Sequence, residues 1–201
     1  MLELALHILD IAQNSIEAGA SEIIISIDEN SKKDRFCFEV CDNGCGLTEE
    51  TKGKVLNPFY TTRKTRRIGL GLPLLAEACQ RCEGNLQIQS MPGDGTRITA
   101  TFRYGHIDRA PLGDMPSVLM AISLAKKPID WIYSHRVNER KFRLETREIK
   151  QELGDIPLTH PKVRQWLQDV LVEGENSLKA GERGIRATAW TDGRLAEETG
   201  G

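Results

Sequence analysis

Four short runs, EIIISID (22–28), RFCFEVCD (35–42), NLQIQSM (85–91) and TRITATFRY (96–104), alternate apolar and polar residues with a period of two. Ile23, Ile25 and Ile27 share a face, as do Phe36, Phe38 and Val40, Leu86 and Ile88, and Ile98, Ala100 and Phe102. The opposite faces carry Ser26, Asp28, Glu39, Gln87, Gln89, Arg97, Thr99, Thr101 and Arg103. A sheet built from such strands has one face that must be covered and one that tolerates water, so helices belong on one side only. The pattern predicts an α+β protein, a two-layer α/β sandwich. A doubly wound parallel sheet would require apolar residues on both faces.

Residues 2–18 place apolar side chains at helical spacing, and Gly19 stands where a C-cap belongs. A second helix is expected over 69–82. The polar segment DENSKKD links the first two strands, and Pro92-Gly93-Asp94-Gly95 signals a hairpin between the last two. From about His106 the pattern changes. Residues 113–126 read as a helix, IDWIYSHRV (129–137) and KFRLETR (141–147) as a hairpin turning at Asn138-Glu139, and 160–179 as an amphipathic helix. Ile129, Trp131 and Tyr133 fall on one face of that hairpin, for core packing or, alternatively, for a partner. The polar, glycine-rich close suggests a mobile tail. This divides the chain into a domain of 1–105, a small C-terminal α/β extension of 106–179 and a tail of 180–201.

The formal charge is −2 and the pI about 6.1, so there is no global attraction to nucleic acid or an anionic membrane, and any basic patch must act locally. No apolar run reaches the length of a membrane span, and MLELALHILDIAQ carries acid where a signal peptide needs basic residues. A cytoplasmic location is expected. Cys37, Cys41, Cys45, Cys79 and Cys82 form no spaced framework, which suggests reduced thiols. The single pair Cys79-Gln-Arg-Cys82 reads as small buried hydrophobes, with redox sensing as the alternative.

Three local signals carry chemistry. On the first helix His7, Asp10, Asn14 and Glu17 form a polar stripe, which is either the wet side of the helix or a ligand face. As a ligand face it offers an amide oxygen suited to Mg²⁺, and a carboxylate one turn back that could orient or deprotonate a water. The second strand ends in CDNGCGL (41–47). Asp42 continues the inward series 36, 38, 40 and needs a donor, which local N–H groups or a flat ligand bearing an amino group could supply. The third signal, RKTRRIGLGLPLL (63–75), sets four cations before a glycine turn that opens a helix. It is a solvated basic loop or a site for polyanions.

In this order and on this scaffold, the three signals make residues 1–104 resemble the GHKL superfamily of ATP-binding domains, the gyrase, heat-shock chaperone, histidine kinase and MutL type, with its Bergerat fold. DIAQNSIEAGA (10–20) resembles the N-box, most of all its MutL version. The resemblance implies Asn14 as Mg²⁺ ligand and Asp10 as the acid that activates water. DNGCGL (42–47) resembles the first glycine box, with Asp42 accepting from the adenine amino group beside Gly44 and Gly46. NPFYTTRK (57–64) resembles the lid of histidine kinases, with Arg63 and Lys64 implied in phosphate contact. GLGL (Gly69, Leu70, Gly71, Leu72) resembles the second glycine box, and GDGTRI (93–98) the last box, where Thr96 helps Asp42 hold adenine. No P-loop pattern GxxxxGK[ST] is present, and GLGLP lacks dinucleotide-fold spacing.

The resemblance implies ATP and Mg²⁺ as cofactors and an ATPase or protein kinase activity. Histidine kinases carry a helical hairpin with the phosphoacceptor histidine ahead of this domain, whereas the N-box here begins almost at residue 1. A stand-alone form acting on a protein supplied in trans is therefore expected. Many histidine kinases read Gly-Thr before the GLGL box, and this chain has Arg67-Ile68, so its lid hinge and phosphate contacts should differ. Asp10 is a methylene shorter than the glutamate of the ATPase branches, which predicts slow hydrolysis. The alternative is an ATP-switched module that dimerises or captures a partner, favoured by NSIEAGA. A MutL-like ATPase acting on DNA is disfavoured by the charge.

Overall fold

The computed structural model describes residues 3–56, 71–125, 127 and 129–180. Six strands form one mixed sheet in the order β3-β4-β2-β1-β5-β6. β1 (Glu22–Asn30), β2 (Arg35–Asp42), β3 (Asn85–Met91) and β4 (Gly95–Arg103) are the four alternating runs. β5 (Asp130–Val137) lies parallel to β1, and β6 (Arg140–Glu145) closes the far edge antiparallel to β5. The strands of the extension thus continue the sheet of the first hundred residues.

One face is covered by helices. α1 (Leu4–Glu17) touches both α3 (Gly71–Arg81) and α4 (Met115–Ser123), and α4 in turn packs on α6 (Pro161–Ala180). Beneath them the inward residues of every strand form the core, with Ile23, Ile25, Phe36, Phe38, Trp131 and Tyr133 fully buried. The other face keeps the polar set predicted for it: Glu39 pairs with Arg97 and Thr99, and Asp28 with Arg136. An α+β two-layer sandwich is what these alternations produce. The aromatic face of β5 is core, as its burial requires.

Several boundaries differ from the sequence reading. The helix expected over 113–126 spans Met115–Ser123, started by the Asp114 side chain accepting from the Ser117 N–H. The expected strand 141–147 ends at Glu145, because Thr146 opens α5 (Thr146–Leu153) and turns its hydroxyl onto the backbone of Trp131. A short α2 (Glu49–Lys54), capped by Thr48, was not foreseen. The tail expected from residue 180 lies, beyond Ala180, outside the described residues.

Candidate functional site

Asp42 is the last residue of β2 and faces Ile23 of β1 and Thr96 of β4 in register. Because it follows Phe36, Phe38 and Val40 onto the helix side, it is buried, at 8% exposure. Its carboxylate is held by two donors: the Ser15 hydroxyl to Oδ2 at 2.7 Å and the Gly44 N–H to Oδ1 at 2.8 Å. Each oxygen keeps a further lone pair for a ligand donor. The hydroxyl of Ser15 also lies 3.2 Å from the Ile11 carbonyl, and having one proton it serves one acceptor at a time.

The turn after Asp42 is shaped by its glycines. Gly46 has φ +67° and Gly95 φ +84°; a Cβ on the first would strike the Met91 carbonyl, and on the second the Asp42 carbonyl. Backbone bonds from Cys45 N–H to Ala18 O (3.0 Å) and from Gly93 N–H to Cys45 O (2.9 Å) tie the turn to α1 and to the β3–β4 hairpin. Asn43 is structural: its Oδ1 accepts from the N–H groups of Ser21 and Glu22, and its amide donates to Ser21 Oγ. Thr96 Oγ1 is 2.9 Å from Ser90 Oγ, which also meets the Gly95 carbonyl and the Leu47 N–H at 2.8 Å each.

Asp10 and Asn14, half-buried, stand one turn apart on α1. Gly71, the first described residue of α3, lies directly beside Asp10, so close that a Cβ there would overlap the Asp10 carboxylate. Leu72 packs against the core. The fold therefore brings Asp10 to Gly71 on one side of α1, while Ser15, the residue after Asn14, reaches Asp42 with Gly44, Gly46 and Thr96 around it. Arg63, Lys64, Gly69 and Leu70 lie outside the described residues.

His7 is buried, at 4% exposure, and its Nδ1 has no hydrogen-bond partner among the described residues. Burial holds its pKa below the ordinary imidazole range, and the Asp10 charge opposes that shift. Cys79 and Cys82 are buried free thiols, and burial pushes Cys79 up to about 12, far from a reactive thiolate. Among the described residues no group of three or more His, Cys, Asp or Glu is arranged to hold a metal ion. Nor is any helix there long and apolar enough to cross a membrane.

Sequence reasoning missed Ser15 and Ser90. Both left a trace: Ser90 continues the inward series Leu86, Ile88, and Ser15 sits on the buried side of α1. A polar residue in an apolar phase is the signal that also marked Asp42.

Residues 2–106 match the model of the family described as histidine kinase-, DNA gyrase B- and HSP90-like ATPase. Relatives include a putative sensor protein of Shewanella frigidimarina (32% identical over 103 residues, 50% of this chain and 16% of that protein). The sensor histidine kinase WalK of Bacillus subtilis is 34% identical over 87 residues, 41% of this chain and 14% of its own length. The sensor protein kinase FleS of Pseudomonas aeruginosa is 34% identical over 105 residues, 52% and 25%. This chain thus spans a quarter or less of these three relatives. The crystal structure of the N-terminal domain of a DNA repair protein superposes with a TM-score of 0.49 at 14% identity, over 72% of this chain and 53% of that one. On the match over residues 2–106, this chain belongs to the histidine kinase-, DNA gyrase B- and HSP90-like ATPase family, with an ATP-binding domain of histidine kinase-like type.

Proposed function

We propose that the chain binds ATP with Mg²⁺ and transfers its γ-phosphoryl group to a separate protein, with slow hydrolysis when no acceptor is present. The observation that carries this reading is the buried Asp42 carboxylate, oriented by Ser15 and Gly44 at the floor of a glycine turn, with Asp10 and Asn14 on the same helix as Ser15. Asp42 accepts from the adenine amino group, the turn of Gly44 and Gly46, packed by its glycines against Ala18 and Met91, borders the flat base, and Thr96 completes the grip. Arg63, Lys64, Gly69, Leu70, Gly71 and Leu72 are assigned to the phosphates. Asp10 orients or deprotonates the acceptor hydroxyl or water.

The donor set suits Mg²⁺. One amide oxygen on Asn14 fits a hard cation that keeps waters and phosphate oxygens rather than filling an all-protein cage. When bound, Mg²⁺ offsets phosphate charge. The sensor kinases among the relatives support a protein acceptor.

The test is a titration with γ-labelled ATP, with and without Mg²⁺, of wild type, Asp42→Asn and Asn14→Ala. Binding weakened roughly tenfold to a hundredfold in Asp42→Asn, Mg²⁺ dependence lost in Asn14→Ala, and label appearing on an added protein are the expected results. Free phosphate alone would leave an ATPase. No binding by the wild type would overturn the reading.

A second reading, an ATP-driven switch acting on a partner or a second copy through 106–179, is favoured by one feature. The first N–H groups of α1 are capped by carbonyls of the connector, Leu4 to Pro111 (3.0 Å) and Ala5 to Leu112 (2.7 Å), so the helix bearing Asp10 is tied to the extension. ATP-dependent capture or dimerisation without a labelled acceptor would select it.

A further inference from the structure

Three polar residues stand side by side on neighbouring strands. Thr96 of β4 faces Ser90 of β3 on one flank and Asp42 of β2 on the other, in register. All three fall in the phase that turns toward the helices, and Ser90 is buried there. In such a row the direction of each proton follows from what every partner can give or take.

The Gly95 carbonyl has no proton to give, and the Leu47 N–H has no lone pair to offer. At 2.8 Å from each, the Ser90 hydroxyl donates to Gly95 O and accepts from Leu47 N–H. Its single proton is spent, and one lone pair remains. Thr96 Oγ1, 2.9 Å from Ser90 Oγ, therefore meets it as the donor. With its proton fixed on Ser90, Thr96 has only lone pairs left for anything else. Asp42 has the same polarity: a carboxylate only accepts, and after the Ser15 hydroxyl and the Gly44 N–H are counted each oxygen keeps a lone pair. Two neighbouring acceptors are reconciled by an atom that carries two hydrogens. A planar amino group has them, and a carbonyl oxygen in its place would face two acceptors.

We propose that Ser90 is a positioning residue that sets the base selectivity of the site: by taking the Thr96 proton it makes Thr96 an acceptor, so that Thr96 and Asp42 each receive one hydrogen of the amino group of a 6-aminopurine nucleotide and a 6-oxopurine is refused. Ser90 acts through Thr96 and touches no part of the base. This rests on the ATP-site reading of Asp42 and deepens it, because it assigns the polarity of the hydroxyl beside that carboxylate.

The test measures Kd for ATP and for ITP, each with Mg²⁺, by calorimetry on the full chain. ITP carries a carbonyl oxygen where ATP carries the amino group. The wild type should bind ITP at least about a hundredfold more weakly than ATP. In Ser90→Ala the Thr96 proton is released to meet the oxygen, and that ratio should narrow about tenfold. Thr96→Val, close in shape, should weaken ATP about tenfold and leave ITP no weaker, because the lost lone pairs serve the amino group and oppose the oxygen. Equal weakening of both nucleotides in Ser90→Ala would make Ser90 a structural support only and overturn the proposal. Thr96→Val weakening ITP as much as ATP would overturn it as well, and this arm decides even where Ser90→Ala fails to fold. A wild type that binds neither nucleotide would overturn the ATP reading and this assignment with it.

Discussion

At the scale of single residues, the site depends on polar groups placed where the alternation calls for apolar ones. Asp42 is tolerated inside because the Ser15 hydroxyl and the Gly44 N–H satisfy it. Asp42→Asn keeps the shape and removes the charge, so ATP affinity is expected to fall roughly tenfold to a hundredfold, as measured by calorimetry. Ser15→Ala takes a donor from a buried carboxylate and should cost about 1–3 kcal/mol in denaturant unfolding, beyond any effect on binding. An unchanged unfolding midpoint in that variant would show that the bond is not a support of Asp42.

At the scale of elements, the β3–β4 hairpin and the turn after β2 fit together through glycine. Gly93 and Gly95 both have positive φ, yet a Cβ on Gly93 meets nothing within 4 Å, whereas one on Gly95 runs into the Asp42 backbone. Gly93→Ala should therefore cost only the left-handed strain, about 1–2 kcal/mol. Gly95→Ala should lose clearly more and displace the Asp42 turn. Thermal melts of the pair read the difference, and equal losses would mean that the backbone approach at Gly95 relaxes freely.

Across the whole molecule, the far end of the sheet is closed by an ionic network. His135 on β5 sits between Glu175 of α6, 3.0 Å from Nδ1, and Glu29 of β1, 3.1 Å from Nε2, while the Tyr133 hydroxyl donates to Glu175 at 2.7 Å. Burial alone would push His135 down, but the two carboxylates overcome it and raise it to about 9. A histidine held above its unfolded value of about 6.5 stabilises the fold fully below that pH and loses the contribution as pH rises through about 9. Unfolding free energy should thus decline between about pH 6.5 and 9, and His135→Gln should flatten that slope while lowering stability at neutral pH. Since β5 pairs along β1, a chain cut after residue 105 would bare that edge and uncover part of the core. Such a fragment is expected to lose cooperative unfolding by circular dichroism.

The sequence by itself determined the one-sided sheet, because a period of two with apolar residues in one phase admits a single covered face. It also marked Asp42, whose phase in β2 forces it inward, and the stripe of Asp10 and Asn14, which follows from helical spacing. Only the tertiary structure decided that β5 and β6 join the same sheet, since strand pairing across a hundred residues rests on backbone bonds common to every residue. Only the structure found Ser15 and Ser90 as supports of Asp42 and Thr96, and set Asp10 against Gly71. Those are meetings of side chains from separate elements, fixed by how helices seat on the sheet, and no local periodicity records them.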